Sequence, residues 1–147
     1  MSRTELDGML AELRRLREQT LVGLADLTEA DFATATDMPR WDDVRRVLLR
    51  FGDHMREHAN QMEGVRASVG RGPTMPQRML AEGELAWGKL LAATVGLTDE
   101  DIASQPPDGG WSVKQVLAHV IQTERRYLDA ILAARTRTPA RSDAARS

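Results

Sequence analysis

Apolar side chains return every three to four residues in several long stretches of this chain, the period of a helix with one buried stripe. In the first, Leu6, Met9, Leu10, Leu13, Leu16 and Leu24 alternate with Arg14, Arg15, Arg17 and Glu18, which predicts a helix over residues 2–26. Ser2 followed by Glu5 has the spacing of a capping box. Val44, Val47, Leu48, Phe51, Met55, Met62 and Val65 predict a second helix over 42–67. Met79, Leu80, Leu85, Leu90 and Leu91 predict a third over 76–95, and Val113, Val116, Leu117, Val120, Tyr127, Leu128, Ile131 and Leu132 a fourth over 112–134. Thr28 and Thr98 each precede acidic residues, the pattern of an N-cap on a short helical turn. Gly70-Arg71-Gly72-Pro73 and Gln105-Pro106-Pro107-Asp108-Gly109-Gly110 are firm breaks. Gly52 weakens the second helix, and a close approach by a neighbouring helix would account for it.

The pattern repeats. Met9-Leu10-Ala11-Glu12 returns as Met79-Leu80-Ala81-Glu82, Leu27-Thr28 as Leu97-Thr98, and Trp41 as Trp111, all at an offset of 70. Beyond the tryptophan the offset becomes 69, pairing Val44, Val47, Leu48 and Phe51 with Val113, Val116, Leu117 and Val120, and Arg50 with His119. The chain therefore reads as two copies of one helical hairpin. Two hairpins that each bury one face pair naturally into an all-α four-helix bundle. The bundle is expected over 1–134, and the polar, Arg-rich residues 135–147 are expected to form a disordered C-terminal tail.

Composition narrows the chemistry. The 147 residues suit one domain with a real core, and 41% are apolar with few aromatics. A net charge of −2 gives no general attraction to nucleic acid, and no apolar run approaches the length of a membrane span. The expectation is a cytoplasmic protein with neither nucleic acid nor membrane as partner. With no cysteine, any metal must be held by His, Asp or Glu.

The chain has three histidines. His54 and His58, four residues apart, share one helix face and fall inside the second helix's apolar stripe, so they are expected to face the core. His119 lies on the flank of the fourth helix. Neutral imidazoles suit Zn, Ni, Fe and Cu, and three of them leave a coordination position open for water or substrate. The expected divalent metal site is thus His54, His58 and His119. A pair of core histidines can also bond carbonyls or each other. His54-Met55-Arg56-Glu57-His58 matches H-x-x-E-H, the inverted zincin signature, in a chain too small for such a protease. Glu57 and Glu124 are candidates to accept a ligand ring's N–H or to act as a base. Arg40, Arg45, Arg46, Arg50 and Arg56 make a basic side on the second helix, either a solvated face or a dock for an anionic substrate or thiol.

Leu97-Thr98-Asp99-Glu100-Asp101, a Pro/Gly loop, and Trp111-Ser112-Val113-Lys114-Gln115-Val116-Leu117-Ala118-His119 together resemble the signature of the DinB/YfiT-like superfamily. The resemblance implies a four-helix bundle, often dimeric, in which many members hold a metal through three histidines. These would be His119 from the Trp-Ser-Val helix and His54 with His58 from an H-x-x-x-H helix. In the family pattern the lone histidine comes first; here the pair does, a swap that two near-equivalent halves accommodate. The family includes thiol transferases using mycothiol or bacillithiol and mycothiol-dependent isomerases. The resemblance therefore implies a metal-dependent enzyme, a thiol S-transferase or hydrolase, with Zn, Ni or Fe as the metal and a low-molecular-weight thiol as a possible cofactor. The alternative is a non-catalytic metal-binding or dimerising stress-associated bundle. A small-molecule substrate and a homodimer are the expected partners.

Overall fold

The computed structural model describes residues 2–137. The fold is all-α, with no strand among the described residues. Its helices are α1 (Thr4–Gly23), α2 (Val44–Ser68), α3 (Met75–Ala92), the short α4 (Asp99–Ala103) and α5 (Val113–Arg137), with a 3-10 turn at Glu29–Asp31. An isolated antiparallel bridge joins Ala35 and Asp43 in the loop before α2. No helix among the described residues is long and apolar enough to cross a membrane.

Helix starts are set by side chains that satisfy otherwise orphaned N–H groups. Asp43 accepts from the Arg46 N–H at 2.7 Å and opens α2. Thr74 and Gln77 form a reciprocal box at the start of α3, with Pro76 in its first turn. Ser112 and Gln115 do the same for α5: Gln115 Oε1 accepts from the Ser112 N–H at 2.8 Å, and Ser112 Oγ accepts from the Gln115 N–H at 3.3 Å. The box expected at Ser2 and Glu5 is not made. Arg3 is the N-cap of α1, and Ser2 Oγ instead meets Thr4 Oγ1 at 2.9 Å, because α1 begins two residues later than the pattern suggested. α1 also stops at Gly23, three residues short of the expected end.

The end of α2 is a complete Schellman motif. The Gly70 N–H reaches the Ala67 carbonyl at 3.1 Å and the Arg71 N–H the Arg66 carbonyl at 2.7 Å. Gly70 has φ 67°, a left-handed conformation open to glycine at little cost. α5 runs on to Arg137, past the expected stop at Ala134; the rest of the expected tail, 138–147, lies outside the described residues.

The chain divides into two units, residues 1–95 and 96–147. In the first, Phe32, Trp41, Val44, Val47 and Leu48 are half-buried, and the loop into α2 is tied by the Arg45 N–H to the Phe32 carbonyl and the Val44 N–H to the Thr34 carbonyl. α1 meets α2 where the Arg17 guanidinium lies over the Phe51 ring, 5.6 Å from its centroid. In the second unit α4 packs on α5, with Ile102, Val113, Leu117 and Val120 half-buried. Ser112, 4% exposed, is the one described residue that is fully buried. The apolar stripes keep much of their surface, as at Met62 (63% exposed) and Leu80 (74%). Gly52 is not explained by a neighbouring helix. A Cβ there would meet the Arg56 guanidinium of its own helix at 3.3 Å.

Candidate metal centre

His54 and His58 sit one turn apart near the middle of α2, and their rings are brought together. The ring centroids are 4.4 Å apart in an edge-on arrangement, with Nε2 facing Nε2 at 3.0 Å. Both rings are exposed, not turned into a core as the stripe suggested. On the far side of the His58 ring, Nδ1 lies 2.8 Å from Gln61 Oε1. A divalent ion bound to both Nε2 atoms at about 2.0–2.1 Å would subtend an angle of about 95° at this separation. The donor type and spacing therefore fit two positions of one coordination sphere.

His119 belongs to α5 in the second unit. Its ring stands edge-on to Trp111, centroids 5.1 Å apart, and its Nε2 lies 3.5 Å from Thr123 Oγ1. Among the described residues no group of three or more His, Cys, Asp or Glu is placed to hold a metal ion.

The neighbouring charges are largely committed elsewhere. The Arg50 guanidinium donates to Glu57 Oε2 at 2.7 Å and lies over the Trp41 ring, 5.3 Å from its centroid. Its Nε is buried without a partner. The hydrogen bond from Arg50, then its charge, holds the Glu57 carboxyl below the ordinary carboxylate range, with smaller help from His58 and His54. Glu57 therefore answers to Arg50, not to a histidine N–H. Arg46 pairs with Asp42 and Asp43, Arg56 with Asp53, and Arg40 lies over Trp41 at 5.7 Å. The basic side of α2 is thus mostly internal pairing. Glu124 is exposed on α5, and the contact His119 makes along its own helix is with Thr123.

Residues 82–146 match the family model of the DinB superfamily. This stretch, a little under half of the chain, is similar to the DinB superfamily. No curated protein and no solved structure matches it. The DinB match takes in the Trp111-to-His119 run and leaves His54 and His58 outside it. Gln61 and Thr123, the polar neighbours of His58 and His119, were not singled out from the sequence. Their signal is a side-chain acceptor three or four residues beyond a histidine on a helix, which places both groups on one face.

Proposed function

We propose that this DinB-like chain is a metal-dependent enzyme, a thiol S-transferase or hydrolase, in which His54, His58 and His119 hold one divalent ion, Zn, Ni or Fe. The observation that carries the reading is the pair of Nε2 atoms on α2, facing each other at the spacing of two ligands. His119 enters it through the Trp-Ser-Val run, which lies within the DinB-superfamily match. When bound, the ion would supply Lewis-acid activation of a thiolate or a water. His54 and His58 would contribute two neutral donors from one helix, so that α2 fixes their mutual spacing. Elemental analysis of untagged protein beside His54→Ala, His58→Ala and His119→Ala tests the site. Stoichiometric metal in the wild type and its loss in every variant are expected; metal unaffected by all three substitutions rejects the site. Turnover of a small thiol with an electrophile then separates an enzyme from a metal-binding protein without activity.

A homodimer is the second part of the reading. Support comes from the apolar stripe of α3, where Met79 is 71%, Leu80 74% and Trp87 52% exposed. Apolar surface of this kind is a common basis for association. Sedimentation of the protein at micromolar concentration as twice the chain mass is expected, and a monomer throughout that range would reject it.

A further inference from the structure

The two histidines of α2 are not equivalent. Gln61 Oε1 is an acceptor only, so the His58 Nδ1 that meets it at 2.8 Å carries the hydrogen and donates it. A neutral imidazole has one N–H, which leaves His58 Nε2 as a bare lone pair. The contact between the two Nε2 atoms, 3.0 Å long, must then be donated by His54 Nε2–H. His58 thus presents a ligand nitrogen as it stands, while His54 does so only after its hydrogen moves from Nε2 to Nδ1. Both rings are exposed, so water is at hand for that exchange.

We propose that Gln61 is a positioning residue that holds His58 in its Nδ1–H form, making His58 Nε2 the pre-set first donor to an incoming divalent ion and His54 the second. The proposal rests on the metal reading above and adds to it a residue and an order of engagement. An N–H held by an outer acceptor fixes both the tautomer and the direction of a ligand ring, and loss of such an acceptor commonly weakens metal binding about 10–100-fold. Spacing matters too. Gln61 lies three residues beyond His58 and His54 four before it, so all three occupy one face of α2 and no other element is needed to build the relay.

The test is ring-nitrogen NMR of metal-free, 15N-histidine-labelled full-length protein at mildly alkaline pH, followed by titration with Zn2+ alone. Wild type, Gln61→Leu and Gln61→Glu are compared, with circular dichroism to show that α2 persists. The wild type is expected to show His58 protonated at Nδ1 and His54 at Nε2. Gln61→Leu, which keeps the helix and removes the acceptor, is expected to lose the His58 Nδ1–H signature and to bind Zn2+ about tenfold more weakly or worse. Gln61→Glu, which restores an acceptor, is expected to recover both. His58 ring shifts that are identical in wild type and Gln61→Leu would overturn the role of Gln61, whatever the metal affinity. Altered shifts with no Zn2+ binding in any of the proteins would uphold the tautomer control and overturn the metal reading instead.

Discussion

Each half of the chain sets a tryptophan against a residue two turns into the helix that follows, and the two halves fill that second position differently. In the first half Trp41 meets Arg50 at 5.3 Å; in the second Trp111 meets His119 at 5.1 Å. The ring positions are 70 apart and their partners 69 apart in sequence, so these are the same station of one repeated hairpin. Its geometry does not depend on the partner's chemistry: an aromatic face accepts a guanidinium or an imidazole edge. What changes is the use open to the partner. Arg50 is permanently charged, has no lone pair for a metal, and is held by Glu57. His119 keeps a lone pair, and beside the Trp111 ring it has a long contact to Thr123 Oγ1 at 3.5 Å. The two matching stations thus hold side chains of different capacity, one committed to an ion pair and the other an imidazole with a lone pair.

The sharpest way to break that contrast is His119→Arg. It puts the first half's residue into the second half's frame, and a guanidinium offers no donor atom to a metal. On the proposed metal site, affinity should fall by at least the roughly 10–100-fold that loss of a ligand ring's outer acceptor costs, while helicity is unchanged. Full retention of metal, read by elemental analysis, would remove the functional distinction between the halves.

A second comparison lies just upstream. Thr28 with Asp31 and Thr98 with Asp101 occupy matching places, with the Thr N–H donating to the Asp carboxylate at 2.8 Å in each; Thr98 Oγ1 also accepts from the Asp101 N–H at 3.2 Å, whereas the Asp31 N–H goes to the Thr28 carbonyl. Thr28→Ala and Thr98→Ala should each lower unfolding stability by about 1 kcal/mol in urea titrations. Thr98→Ala is expected to cost the more of the two, because only Thr98 Oγ1 accepts from a helix N–H; a larger loss at Thr28 would contradict this.

Arg50→Met is expected to cost somewhat less, about 0.5–1 kcal/mol, by removing the cation from the face of Trp41. Its clearer readout is Glu57. The Arg50 hydrogen bond lowers that carboxyl, so its titration, followed by NMR, should move upward in the variant. A Glu57 titration that stays put would mean Arg50 is not what holds it.

The smallest effect is on acid stability. Asp31 and Asp101 are both held below the ordinary value by the Thr backbone and side-chain hydrogen bonds. A carboxyl lowered in the folded state stabilises above its unfolded pKa, and that contribution fades as pH falls through the lowered folded value. Both contributions are therefore present above the unfolded value, about pH 4, and fade progressively as the pH falls from there through the lowered folded values. The stability gap between wild type and either Thr→Ala variant should narrow on acidification; a gap that widens would contradict the assignment.

Much of this was legible in the residues themselves. Thr98 and Ser112 announced helix starts because a cap is a local bargain between a side chain and N–H groups two or three residues away, whereas the Thr74 cap of α3 was passed over in favour of a start at Pro76. The i,i+4 spacing of His54 and His58 announced their contact for the same reason. Ser2 and Glu5 misled, since a spacing that permits a box does not oblige the helix to begin there. Gly52 misled because its neighbour proved to be Arg56, a long flexible side chain whose direction no periodicity encodes. The pairing of Arg50 with Glu57, seven residues on, was likewise hidden among several alternative partners on a charge-rich helix. The choice between core and solvent for the α2 histidines depends on which surfaces cover the stripe, and that is a property of assembly, not of spacing.

The joint between α2 and α3 has one more consequence. Arg66 from the α2 side donates to the Arg71 carbonyl at 3.3 Å, and Arg78 from the α3 side donates to the Pro73 carbonyl at 3.4 Å. The first braces the left-handed stop at Gly70, and the second ties the segment that follows it. A trypsin-like protease would find an arginine on show at 71, yet it must draw the backbone into its cleft in extended form, against a knot tied from two directions. Exposure alone therefore does not make this the soft spot of the chain.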